Sequence, residues 1–149
     1  MWIDKENTFN TISGTTWTAW AETTVAAHNS PNVIDLTHIP RVIIENARFV
    51  VQVVDVPVSA GGGTLQLDLV TSAATALTSP QTLWSSGVVS NATIVAYTAN
   101  STIFDIPIPS SMLKRYMGVI WTIGTAVWTA GSFRMFLASQ TPEYIPAAP

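Results

Sequence analysis

Apolar and polar positions alternate with a period of two along much of this chain, most clearly from Tyr116 to Ala138. There Met117, Val119, Trp121 and Ile123 share one face, and Tyr116, Gly118, Ile120 and Thr122 the other. After a connection holding Gly124 and Gly131, Phe133, Met135 and Leu137 oppose Ser132, Arg134 and Phe136. Such alternation, rich in aromatic and β-branched residues, predicts two strands. The spacing reads as a hairpin whose glycines can take positive φ at little steric cost. Thr64 to Val70 alternates in the same way and predicts Leu65, Leu67 and Leu69 facing a core. Burial of each contributes roughly 1.5–3 kcal/mol.

Shorter signals fill the rest of the chain. Strands are predicted at 32–36, after Pro31, and at 49–55, where Pro57 limits extension. Ala60-Gly-Gly-Gly63 is a turn; no Lys-Ser/Thr follows it, so it is not a phosphate loop. Residues 71–93 read as loops with a short strand near Leu83-Trp84, and 94–97 and 102–106 as two further strands. Ser110 to Arg115 suits one helical turn, with Ser110 or Ser111 as N-cap. About eight short strands without a long amphipathic helix predict an all-β, antiparallel sandwich, jelly roll or closed barrel. Residues 1–31 read as an N-terminal arm, 32–141 as the β domain and 142–149, with three prolines, as a tail.

Composition narrows the function. Of 149 residues, 48% are hydrophobic and only 10% charged, against about 25% charged in ordinary soluble domains. The surface is therefore neutral or covered by other chains. Net charge is −3, and no Lys or Arg lies between Arg48 and Lys114, which leaves no basic stripe for nucleic acid. No unbroken apolar run reaches the length of a membrane span. Met1-Trp-Ile-Asp-Lys-Glu6 puts charges where a signal peptide needs an apolar core. With no cysteine, disulfides and thiol chemistry are excluded, and synthesis in a reducing cytosol is expected.

Candidate chemistry is sparse. His28 and His38 flank Asp35, but a metal site needs at least three converging ligands; loop or surface histidines are the expectation, with no metal and no cofactor. No Gly-x-Ser-x-Gly elbow accompanies the many serines, and no carboxylate pair stands out. The sequons at Asn91 and Asn100 have meaning only on a secretory route. An enzyme is not expected. Trp84, Tyr97, Trp121 and Trp128 could line a sugar-binding face; core packing is the expectation for Trp121, exposure for Trp128 in the connection.

Three stretches in order carry a resemblance: Asn32-Val-Ile-Asp-Leu36 after a Ser-Pro turn, residues 77–98 (LTSPQTLWSSGVVSNATIVAYT), and residues 106–138 with their Pro, Lys-Arg-Tyr, Gly-Thr and Thr-Ala-Gly landmarks. Together they resemble the jelly-roll capsid cement proteins of short-tailed bacteriophages. The resemblance implies a structural virion protein that is made in the host cytoplasm and binds the outside of the mature head. It implies the major capsid protein as partner, and self-association as a dimer in preference to a trimer. The arm and tail then supply contact candidates: Trp2, Ile3, Phe9, Trp17 and Trp20 at one end, Tyr144 and Ile145 at the other, with Trp128 from the connection. The alternative is a carbohydrate- or receptor-binding sandwich of a phage tail or fibre.

Overall fold

A computed structural model of the chain describes residues 8–10, 12–13, 16–17, 25–39 and 44–139. Ten strands lie among them: β1 Ile12–Ser13, β2 Thr16–Trp17, β3 Ala27–Asn29, β4 Ile34–Asp35, β5 Ala47–Val58, β6 Thr64–Ser72, β7 Gln81–Ser85, β8 Thr102–Pro107, β9 Tyr116–Gly124 and β10 Ala130–Ser139. All pairings are antiparallel. β1 and β2 form a small ribbon by themselves, with Ile12 opposite Trp17. The others build two sheets, one ordered β10-β5-β8 and the other β3-β9-β6-β7, with β4 continuing along β9 beside β3.

The connectivity is that of a jelly roll. Thr8 bridges Phe136 on the edge of β10 away from β5, so the first sheet reads Thr8-β10-β5-β8, four segments facing four. With the β1–β2 ribbon set aside and β3 and β4 counted as one interrupted segment along β9, successive segments switch sheets at every step except the turn from β6 to β7. Two four-segment antiparallel sheets interleaved in this way match the eight-stranded double-sheet design. The inward faces are those predicted. Leu65, Leu67 and Leu69 of β6 and Met117, Val119, Trp121 and Ile123 of β9 meet Phe49, Val51 and Val53 of β5 and Phe133, Met135 and Leu137 of β10, all in one buried core.

Several local expectations are corrected. β9 and β10 are not a hairpin: β9 pairs with β6 and β10 with β5, so the connection crosses from one sheet to the other. Within it Thr125 takes positive φ (65°) and Gly124 does not; Gly124 is held instead by the close approach of the Thr64 side chain. β5 runs through Pro57 to Val58. β8 pairs with β5 only from Arg48 to Gln52, and the pairing with β10 shifts register around Gly131, opposite Pro57. A proline is tolerated at such a free, bulged edge. The strand expected at 94–97 is replaced by a helical turn, Asn91–Ile94. Ser90 caps it by accepting from the Thr93 amide, which ties the local backbone into a helix start, and Ile94 is buried. Residues 32–36 yield only the two-residue β4 before a 3-10 turn, Leu36–His38. The turn expected near Ser110 is a 3-10 turn, Ser110–Met112, with Pro109 at its N-cap.

The expected boundary at residue 31 does not separate an arm from the sheets at two points. β3 lies inside the second sheet, and Thr8–Asn10 is stitched to β10. The Phe9 amide donates to the Met135 carbonyl at 2.9 Å. The Asn10 side chain accepts from the Met135 amide at 2.7 Å and donates to the Phe133 carbonyl at 2.9 Å. An amide side chain offering one donor and one acceptor stands in here for a strand's backbone.

Candidate interaction surface

The open side of the sandwich lies between β7 and β8, which pair on one side only. Leu83 and Trp84 of β7 face Ile106 and Pro107 of β8, and Ile108 and Pro109 complete a groove of about 330 Å³. None of these six residues carries a charge. Trp84 is half-buried and joins the groove to the core through an aromatic chain. It meets Phe104 edge-on at 5.0 Å and Phe49 at 6.1 Å, and Phe49 meets Phe9 at 5.7 Å. Edge-to-face pairs at these spacings each add roughly 0.5–1.5 kcal/mol beyond burial, so the groove wall is held in place. Gln81 of β7 donates to the Met112 sulfur at 3.3 Å, and Met112 is exposed.

Two ion pairs lie outside the residues that line the groove. Arg48 pairs with Asp105 on the exposed side of β8. Arg115 forks onto the Asp35 carboxylate at 3.0 and 3.3 Å and lies 4.9 Å over the Tyr116 ring. Asp35 also caps the Leu36–His38 turn, accepting from the amide and hydroxyl of Thr37. The Arg115 hydrogen bonds, followed by those from Thr37, hold the Asp35 carboxyl well below the usual carboxylate range, and Asp35 in turn raises Arg115.

A model of the Bbp16 family matches residues 18–137, most of the chain and the whole of β3 to β9. The chain belongs to the Bbp16 family. No curated protein matches it.

The Bbp16 chain places its predicted contact residues unevenly. Phe9, expected on a docking arm, is fully buried in the core. Trp128, expected at the surface, is 5% exposed: because the β9–β10 connection spans both sheets, it carries Trp128 over the end of the sandwich and into the core. Trp17 lies on β2 opposite Ile12. Trp2, Ile3, Trp20, Tyr144 and Ile145 lie outside the described residues. Of the aromatics considered for a sugar face, Trp121 is buried, stacked on His28 at 6.4 Å, and Tyr97 packs against the core. Among the described residues no three His, Asp or Glu side chains converge as a metal site, and no helix is long and apolar enough to cross a membrane.

Sequence reasoning missed the groove. Pro107 and Pro109 signal only where a strand stops, and Leu83-Trp84 only that a strand exists. Their juxtaposition depends on β7 and β8 ending in different sheets. The large hydrophobic side chains exposed among the described residues are aliphatic: Val25, Val56, Val58, Val88, Val95 and Met112.

Proposed function

We propose that this chain is a structural virion protein, a capsid cement or decoration protein that binds the outer surface of the mature phage head. In that role it bridges neighbouring major capsid subunits and resists the pressure of packaged DNA. The observation that carries the reading is the surface itself: an uncharged apolar groove and exposed aliphatic side chains on a chain with only 10% charged residues. Exposed apolar patches on a polar rim suit protein contacts. A tail or fibre sugar binder would present flat aromatic rings, and Trp84, Tyr97, Trp121 and Trp128 are each buried or half-buried; this favours the cement reading. The ordered resemblance of residues 32–138 to jelly-roll cement proteins supports it further. The partners are the major capsid protein and a second copy of the chain, as a closed dimer in preference to a trimer. Trp2, Ile3, Trp17 and Trp20 are the proposed anchors, since Trp concentrates binding energy in few residues.

The test adds purified protein to heads that lack it. Saturable binding and a raised temperature of DNA release are expected, and removal of residues 1–7 should weaken both. Absence of binding together with retention on a glycan column would replace this reading with the receptor-binding one.

A further inference from the structure

Charge is segregated along the strand axis of the sandwich. At one end Val58 lies opposite Ala130 and Thr64 opposite Gly124, so the β5–β6 turn and the β9–β10 connection cap the two sheets together. Residues 56–67, 86–97 and 120–133, which build this end, hold no Asp, Glu, Lys, Arg or His. Val56 and Val58 are exposed here on the first sheet, and Val25 and Val88, which flank β3 and β7, on the second. Asp55, just short of this end, accepts from the Ser132 hydroxyl at 2.6 Å. At the opposite end Asp35, Glu45, Arg48, Lys114 and Arg115 gather around the first residues of β5 and β9.

The uncharged end is fixed rather than slack. The Ser59 hydroxyl accepts from the Gly63 amide at 2.9 Å and donates to the Val127 carbonyl at 2.8 Å. The Thr129 amide donates to the Val58 carbonyl at 2.8 Å. Gly61 packs so closely on Ala126 that a Cβ would sit 2.5 Å from its methyl. A preformed surface loses little entropy on docking. We propose that a second copy of the chain binds this end, the two uncharged ends meeting across a two-fold axis. Contacts between different proteins ordinarily carry complementary charges that steer and align them, and this end has none to offer. A two-fold contact needs none, because a charge near its axis meets its own twin. Exposed aliphatic side chains free of charge suit such a self-contact. The inference rests on the cement reading for the dimer alone and assigns the surface that makes it.

Sedimentation equilibrium of the purified chain tests the assignment. The native chain should dimerise. Val58→Asp and Ala60→Glu each bring like charges together at the axis and should raise the dimer dissociation constant by more than about tenfold. Ala60 is exposed in the turn, so its variant should keep the native strand spectrum in circular dichroism even where Val58→Asp fails to fold. Met112→Asp, at the charged end, should leave the dimer intact. A native chain that stays monomeric at every concentration would overturn the proposal, as would a dimer that survives Ala60→Glu or one lost in Met112→Asp. Head binding by the same native protein is scored separately. A dimer that ignores heads would sink the cement reading and leave this contact standing, whereas a monomer that binds heads would do the reverse.

Discussion

Between β3 and β4 the edge of the second sheet is interrupted, and the Ser30 hydroxyl takes the place of the missing backbone. It accepts from the Val119 amide at 3.0 Å and donates to the Asn32 carbonyl at 2.8 Å. Ser30→Ala would leave a buried amide unpaired, at about 1–3 kcal/mol. For a chain of this size that is roughly 2–4 °C of melting temperature per kcal/mol, measurable by calorimetry. Gly118 shows how one residue answers another. A Cβ there would sit 2.5 Å from a methyl of Leu77, which is buried and held at φ 53°. The branched residue ordinary for a strand is excluded because Leu77 already covers that face; Gly118→Val should cost about 1–3 kcal/mol by overpacking. Leu67, 1% exposed, is the harshest position. Leu67→Asp buries an unpaired charge, several kcal/mol against a total stability of about 5–15 kcal/mol, and is expected to give insoluble protein or a sharply lowered melt.

At the scale of elements, the two ends of the first sheet behave differently. Near its bulge, Gly131 has φ +121°, and a Cβ would meet the Pro57 backbone at 2.5 Å. The clash is with main chain, so Gly131→Ala combines strain of about 1–3 kcal/mol with overpacking and should destabilise more than Gly118→Val; urea titration of the pair checks the order. At the sheet edge Thr8–Asn10 acts as a strand surrogate. Removing residues 1–7 leaves its bonds to β10 intact, whereas removing 1–12 deletes Phe9 as well. Truncating a buried Phe alone costs about 3–5 kcal/mol. The shorter truncation is therefore expected to melt close to the full chain and the longer one far below it, and only the shorter one isolates an arm's contribution to head binding.

For the whole molecule, closure depends on pairings distant in sequence, such as Thr8 with Phe136. Topologies dominated by such contacts fold in milliseconds to seconds, the range in which stopped-flow refolding should fall. Acid acts through the exposed Asp35–Arg115 pair. The Asp35 pKa is lower in the folded chain than in the unfolded one, so its stabilising contribution is present above the ordinary Asp value of about 3.9. It is lost progressively as pH falls below that value. The stability difference between the native chain and Asp35→Asn should stay constant from pH 7 to 5 and shrink toward pH 3 in urea titrations, and added salt should reduce it.

The alternation at Thr64–Val70 and Tyr116–Leu137 determined the all-β class and the core-facing residues, because burying one face of a pleated strand demands period two. Strand order was not encoded that way. A short connection with glycines reads as a hairpin whether its strands share a sheet or face one another. Only the tertiary pairing of β9 with β6 and β10 with β5 placed Trp128 inside. Phe9 looked like an arm residue because three residues give no periodicity; the unpaired edge of β10 drew it into the core. The groove is a product of topology alone: two free edges, in different sheets, leave apolar side chains facing each other across a gap that no local pattern records.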